Sequence, residues 1–147
     1  LCDAHPGLKP DEMHAAILKG IARAESDFPI AVGLICLLQR IKTVQENQYW
    51  LDFAIEKKAD FLAMDLADNE LAVGPEVFVP LFEKAKSEGF AVTIHAGEAA
   101  GPQASRNIRN SIEMLHADRI GHGVRILEQA RVPQGVREPP RVQHAHG

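Results

Sequence analysis

The chain has 147 residues, of which 46% are hydrophobic, and its formal net charge is −4. A chain of this length can bury roughly two thirds of its unfolded surface in one core, so a single domain is expected. It has 16 Lys and Arg residues against 20 Asp and Glu residues, with no long basic run. Without a basic run, no cluster of cations is available to neutralise phosphates. The sequence therefore predicts no nucleic-acid binding.

The cysteine pattern favours a protein of the reducing cytoplasm. Cys2 and Cys36 lie far apart, which fits neither a Cys-x-x-Cys zinc knuckle nor a disulfide framework. The longest apolar run, residues 29–38, is about half the length of a membrane-spanning helix, and no charged-then-apolar leader opens the sequence. We expect no membrane segment and no export signal.

Helical segments alternate with apolar runs of strand length. The first helix is predicted to start at Pro10, the second at a capping box of Thr43 and Glu46, and the third at Pro75, with Gly89 at its end. The apolar helix faces are Met13, Ile17, Ile21 and Ala24; Val44, Leu51 and Ile55; Phe78, Leu81, Phe82 and Ala85; and Ile108, Ile112 and Leu115. The predicted strands are residues 30–38, 61–67, 90–97 and 118–124. Their starts are about thirty residues apart, the length that parallel pairing through a returning helix requires.

This α-β-α-β-α-β-α-β order predicts either an open doubly wound sheet or part of a (β/α)8 barrel. A nucleotide-binding doubly wound sheet needs a glycine-rich loop after its first strand, but "LLQRIKTVQ" stands there. In a barrel, polar residues at the carboxyl ends of the strands converge on one mouth. Such residues follow every predicted strand: Gln39 and Arg40, Asp68 to Glu70, His95 and Glu98, and His122. We therefore predict an α/β fold, a partial (β/α)8 TIM barrel of about four βα units over residues 1–129, with an irregular tail over 130–147.

The stretch "TIHAGEAAG" places a histidine and a glutamate at one strand end. His95 suits a zinc ligand because the sheet fixes its imidazole, although a lone histidine is more often structural. Glu98 would enter the mouth, where partial desolvation favours a proton donor; alternatively, it is an acid at a helix start. In "RIGHG", we expect Gly121 and Gly123 to leave room beside His122, whose ring could orient a water. For Asp65, pairing with a barrel neighbour is a better expectation than catalysis.

Three motifs in this order and spacing resemble the adenosine deaminase family of metal-dependent amidohydrolases: "MDLADNE" at 64–70, "HAGEAAGP" at 95–102 and "DRIGHGV" at 118–124. The resemblance runs from about Leu8 to Glu128. It implies a (β/α)8 enzyme that hydrolyses adenosine to inosine and ammonia with one Zn²⁺ ion. It also implies that His95 binds zinc, that Glu98 protonates the purine at N1, and that His122 orients the attacking hydroxide.

The sequence departs from the family pattern at three places. Asp68 occupies the glycine position whose backbone contacts the purine, so Asp68 is the expected substrate-binding position, and adenine, AMP or another aminopurine becomes an alternative substrate. The strand-one His-x-His zinc pair and the late aspartate pair are not in place. The "HAH" at 144–146 imitates the pair, but it follows proline-rich sequence that predicts no strand to hold a ligand.

These departures lead us to expect a truncated, weakly active or inactive polypeptide with a small purine nucleoside as its substrate. The alternative from another class is a non-catalytic remnant or interaction module that associates with itself through open barrel edges. The cytidine-type zinc deaminases are poor candidates because their Cys-x-x-Cys ligand pair is absent from the sequence.

Overall fold

A computed structural model of the chain describes residues 7–127. Helices and strands alternate in the predicted order: α1 Pro10–Asp27, β1 Leu34–Gln39, α2 Val44–Glu56, β2 Phe61–Ala67, α3 Val79–Ser87, β3 Ala91–Ala96, α4 Pro102–Glu113 and β4 Arg119–His122. Short 3₁₀ turns at Lys58–Asp60 and Pro75–Phe78 precede β2 and α3. Within the described range, no helix is long and apolar enough to cross a membrane.

The chain divides into two compact units, one up to Leu34 and one from Ile35 onwards. In the first unit, α1 begins at Pro10, where the missing amide of proline costs no helical hydrogen bond. The backbone amide of Lys9 is bonded to Glu12 Oε2 at 3.4 Å. The predicted apolar face of α1 is half-buried.

The second unit is built on a four-stranded sheet in the order β1-β2-β3-β4. Strands β2 and β3 are parallel, with Asp65 opposite Thr93, and β3 and β4 are parallel, with His95 opposite Gly121. Neighbours in the sheet are also neighbours in the sequence, so each helix returns the chain to the next parallel strand. The chain thus forms part of a (β/α)8 barrel, as predicted.

The hydrophobic core lies on the helix-covered face of this sheet. Its fully buried residues include Leu51 on α2, Met64 and Leu66 on β2, Leu81 and Phe82 on α3, and Val92 and Ile94 on β3. On β1, buried Cys36 and Leu38 alternate with Ile35 and Leu37, which are 51% and 46% exposed. The opposite face, which a complete barrel would enclose, is therefore open at β1 in the described part of the chain.

Three of the predicted strands are longer than the observed ones. Strand β3, Ala91–Ala96, is one residue shorter at each end than the predicted 90–97. Strand β1 starts at Leu34 rather than at Ile30, because the amides of Ile30 and Val32 bond to Phe28 O and to Glu25 Oε1 instead of to a neighbouring strand. Strand β4 ends at His122, where the backbone turns to positive φ.

The predicted starts of α1 and α2 agree with the structure, but α3 starts at Val79 rather than at Pro75, because residues Pro75–Phe78 form a 3₁₀ turn. The capping box at Thr43 and Glu46 is present, with Glu46 N bonded to Thr43 Oγ1 at 3.2 Å. On α4, however, the prediction that Ile112 lies on the buried face is wrong. Ile112 is 49% exposed, and the polar residues Asn107 and Ser111 take part in the buried face instead.

Candidate functional site

His95 stands at the carboxyl end of β3, and its ring is fixed by Asp65 on β2. Its Nδ1 lies 2.8 Å from Asp65 Oδ2 and 3.0 Å from Oδ1. The Asp65 side chain is 6% exposed, whereas that of His95 is 39% exposed. A carboxylate accepts the Nδ1 proton, so Nε2 is left as the nitrogen available to a metal ion. The expectation that Asp65 pairs with a barrel neighbour agrees with this contact.

Gly121 gives the His95 ring its space. A Cβ atom at Gly121 would lie 3.3 Å from His95 Cγ and 3.4 Å from Cδ2, closer than most real contacts of this kind. The sequence predicts that the glycines of "RIGHG" make room beside His122. At Gly121 the room instead serves His95, because these two residues are opposite one another in the parallel register.

His122 lies beside His95 and reaches towards Glu98. The two imidazole rings meet edge to face, with centroids 5.3 Å apart and an interplanar angle of 63°. His122 Nε2 is 3.5 Å from Glu98 Oε2, which is long for a hydrogen bond but within the range of an ion pair. The three residues that the sequence singles out therefore lie together at one rim of the sheet.

The environment of Glu98 differs from the one expected. Its side chain is 71% exposed, so the described residues do not supply the desolvation that the sequence led us to expect. In the described part of the chain β4 is an edge strand, so the strands with which a complete barrel would close around this rim are not among the described residues.

Asp68 has a backbone conformation that suits glycine. It follows β2 with φ +86°, is exposed, and its Oδ1 accepts a hydrogen bond from Asn69 N at 2.9 Å. Left-handed conformations cost most non-glycine residues about 1 kcal/mol or more. Asp68 thus adopts a conformation that glycine would take without this cost, and it adds an exposed carboxylate at this position.

Glu70 is a buried acid whose role sequence reasoning missed. Its carboxylate accepts hydrogen bonds from three consecutive amides, those of Gly97 at 2.9 Å and of Glu98 and Ala99 at 2.8 Å. Asn107 Nδ2 is a fourth donor, at 3.2 Å. Burial raises the pKa of Glu70, but these hydrogen bonds outweigh it and hold the pKa below its ordinary value. The acid is therefore ionised at neutral pH.

Arg40 is the second residue whose role was missed. It follows β1 and is 1% exposed. Its Nη1 donates to Val73 O at 3.0 Å and its Nη2 to His95 O at 2.9 Å. Burial lowers the pKa of this guanidinium, whereas Glu70, Glu76 and Asp65 raise it. The signal was available in the sequence as a charged residue directly after an apolar strand, but its partners were not.

The residues fit one ligand of a zinc site rather than a whole site. His95 presents Nε2 with a carboxylate behind its other nitrogen, the arrangement typical of metal-binding histidines. Across residues 7–127, no group of three or more His, Cys, Asp or Glu side chains could hold a metal ion. The "HAH" at 144–146 lies outside the described residues.

Comparison with known proteins identifies the family. The adenosine deaminase family profile matches residues 2–139. The chain belongs to the adenosine deaminase family. Against the adenosine deaminase of Yersinia pseudotuberculosis it is 38% identical over 117 residues, which make up 80% of this chain and 34% of that protein. It thus spans about a third of the length of this relative.

Two solved structures resemble the fold of this adenosine deaminase family member. An adenine deaminase from Arthrobacter aurescens aligns with a TM-score of 0.77 at 25% identity, over 86% of this chain and 38% of that one. An amidohydrolase from Burkholderia ambifaria with bound Zn aligns with the same TM-score of 0.77 at 30% identity, over 83% of this chain and 33% of that one. The match covers the four-strand segment of much longer chains.

Proposed function

We propose that this chain supplies one glutamate, Glu98, and two histidines, His95 and His122, to a site for the hydrolytic deamination of adenosine to inosine and ammonia. One observation carries the proposal. His95, Glu98 and His122 meet at the carboxyl ends of β3 and β4, the end of a parallel barrel where active sites lie. Membership of the adenosine deaminase family supports the choice of reaction.

Each side chain has a proposed role in this reaction. Asp65 holds the Nδ1 proton of His95, so that Nε2 can bind Zn²⁺. When bound, zinc would lower the pKa of water to about 7 and provide a hydroxide at neutral pH. Glu98 delivers a proton to N1 of the purine, which makes the C6 atom electrophilic. His122, 3.5 Å from Glu98, orients the attacking oxygen.

The substrate-binding position is Asp68. Its positive φ preserves a glycine-like turn, and its exposed carboxylate adds bulk and charge beside the site. Adenosine is the proposed substrate, and adenine or AMP is the second candidate, because this side chain changes the surface that a purine would contact. Similarity to the Arthrobacter adenine deaminase favours testing adenine first.

Among residues 7–127, the one proposed His ligand falls short of the three protein ligands that catalytic zinc sites usually have. We therefore expect the 147-residue chain with added Zn²⁺ to convert adenosine slowly or not at all, as followed by the ultraviolet change from adenosine to inosine. Robust turnover by this chain as a monomer would contradict that expectation.

A chimaera tests the proposed roles directly. The 117 aligned residues of this chain would replace the matching stretch of the Yersinia adenosine deaminase, which supplies the remaining length. We expect a zinc-dependent deaminase in which Glu98→Gln lowers kcat/KM by about 100-fold or more, the usual contribution of a general acid. His95→Ala should also abolish zinc retention, measured by metal analysis after dialysis.

The matched control is Glu83→Gln, which removes an exposed glutamate from α3. It should leave both activity and zinc content unchanged. A folded, zinc-loaded chimaera whose Glu98→Gln variant keeps full activity would overturn the proposal. Rates on adenosine, adenine and AMP, measured with and without Asp68→Gly, decide the substrate.

A non-catalytic role in self-association is the second candidate. It is favoured by the exposed Ile35 and Leu37 on the open face of β1. Tight association in the absence of zinc, reversed by the double substitution Ile35→Thr and Leu37→Thr, would support it. A monomer by sedimentation at micromolar concentration would exclude it.

A further inference from the structure

Two buried side chains of opposite charge hold the backbone of residues 95–99, the segment that carries the proposed zinc ligand His95 and the proposed acid Glu98. Arg40 bonds to the carbonyl of His95. Glu70 bonds to the amides of Gly97, Glu98 and Ala99. The hydrogen bonds that both side chains make to this segment go to its peptide groups, which set the direction of the side chains at the rim.

Arg40 links three segments of the second unit. Its own amide donates to Ala67 O at 3.0 Å, which ties the end of β1 to the end of β2. Its guanidinium bridges the His95 carbonyl at the end of β3 and the Val73 carbonyl in the loop after β2. A planar guanidinium offers donors in fixed directions, so one group can hold two carbonyls at a set separation.

Glu70 holds the other side of the same segment. It lies in the loop after β2, the loop whose Val73 carbonyl accepts a hydrogen bond from Arg40. Three consecutive amides converge on its two carboxylate oxygens, at 2.8 to 2.9 Å. Asn107 on α4 fixes the glutamate in turn, because its Nδ2 donates to Glu70 O at 2.8 Å. Bonds between amides and an ionised carboxylate are stronger than neutral ones and resist a change in direction.

The backbone shape that lets these amides converge depends on Gly97. Its φ of +76° lies in the left-handed region, and a Cβ atom there would come within 2.4 Å of Ile108 Cδ1. The turn after His95 is thus built for close packing against α4, with its amides directed at Glu70.

We propose that Arg40 and Glu70 form a pair of positioning residues that set the direction of His95 and Glu98 by holding the peptide groups of residues 95–99. What the aligned groups do rests on the proposed deaminase function, but the positioning itself can be measured without activity. A merely structural role would weaken the whole sheet uniformly. If the two residues position this segment, replacing either of them should change amide exchange at residues 97–99 and the surroundings of the rim side chains, and leave the rest of the sheet unchanged.

Hydrogen exchange of backbone amides in the 147-residue chain separates these two roles. In Glu70→Gln, one carboxylate oxygen becomes an amide group that cannot accept from a backbone N–H. We expect exchange at Gly97, Glu98 and Ala99 to accelerate about tenfold, the effect of losing one to two hydrogen bonds. Exchange at the core amides of Leu66 and Ile94 should stay within about twofold. Equal acceleration at all of these amides, or none at residues 97–99, would overturn the proposal.

Arg40→Lys gives the matching test on the other side. Lysine keeps the charge but cannot hold both carbonyls in the same fixed fork. We expect the ring nitrogen signals of His95 to shift in a histidine-selective NMR spectrum. The signals of His116, which follows α4 in the sequence, should stay in place. The controls are Glu83→Gln, which removes an exposed charge, and Arg106→Lys, which makes the same type of substitution at an exposed arginine. Neither should change either observable. An unshifted His95 would contradict the role of Arg40.

The chimaera connects positioning to chemistry. Glu70→Gln should lower kcat by about tenfold while KM changes less than twofold, because alignment of the acid matters most in the transition state. An inactive parent chimaera that still shows the local exchange change would refute the deaminase function and leave the positioning role intact. An active chimaera with an unchanged kcat in Glu70→Gln would refute positioning alone.

Discussion

The two layers of the candidate site differ in how completely this chain builds them. The supporting layer is buried: Arg40, Asp65, Glu70 and Asn107 are between 0% and 6% exposed, and each has at least one hydrogen bond to a named partner. The rim layer is open, with the side chains of His95, His122 and Glu98 exposed by 39%, 38% and 71%. The difference teaches that support for the reactive groups is local to these four strands, whereas their enclosure and the remaining metal ligands are not found among residues 7–127.

The largest expected effect comes from adding a methyl group at Gly97, in the turn whose amides bond to Glu70. Gly97→Ala places a Cβ atom 2.4 Å from Ile108 Cδ1 at a φ of +76°. Overpacking and left-handed strain together should lower the free energy of unfolding by roughly 3 kcal/mol. Urea denaturation measures it.

Gly89→Ala is the matched control for that substitution. Gly89 also has positive φ, at +82°, but the contact that its Cβ atom would make, with Lys58 Nζ at 3.6 Å, is an ordinary van der Waals contact. It should therefore show the strain without the overpacking and lose less stability than Gly97→Ala. Equal losses would mean that contact with α4 does not shape the turn.

The next effect is a pH dependence centred on Glu70. Its pKa is lower in the folded chain than the ordinary value of 4.5, so its contribution to stability is present above that value and is lost as pH falls through the folded pKa. The stability advantage of the wild type over Glu70→Gln should be constant near neutral pH and shrink in acid. A difference that grows as pH falls below 4 would contradict the arrangement around Glu70.

A smaller effect is expected at Asp68, which separates backbone shape from side-chain chemistry. Because its φ is +86°, Asp68→Gly should be more stable than Asp68→Ala by about 1 kcal/mol. Thermal unfolding of the two variants measures this difference. The reverse order would show that the turn after β2 is not held in the left-handed conformation.

The smallest effect belongs to the rim. Glu98→Gln should change the free energy of unfolding by less than about 0.5 kcal/mol, since the side chain is 71% exposed. Chemical denaturation of this variant beside Glu70→Gln gives the contrast between the layers directly. A loss at Glu98 as large as that at Glu70 would remove the distinction.

The sequence predicted what depends on local pattern. The apolar runs located β2 to the residue, and the capping box at Thr43 began α2 as expected. His95, Glu98 and His122 could be found because strand ends in a parallel barrel share one rim, so their spacing along the chain carries spatial information.

The supporting contacts could not be predicted in the same way. Arg40 meets His95 across 55 residues, and Glu70 meets the amides of residues 97–99 across 27 to 29 residues. Such bonds depend on the course of the loops after β1 and β2, and no apolar periodicity records that course. The prediction that Ile112 is buried was wrong for a related reason. The buried face of α4 includes the hydrogen-bonding residues Asn107 and Ser111, which apolar periodicity does not detect.

The protonation of the His95 ring tests the account most directly. A long-range ¹H–¹⁵N NMR spectrum of the neutral ring should show the proton on Nδ1, where Asp65 accepts it, and Asp65→Leu should abolish that preference. This result would leave Nε2 directed at the rim, ready to bind a metal ion. A proton found on Nε2, in a folded chain, would contradict the claim that the buried layer presents His95 as a ligand.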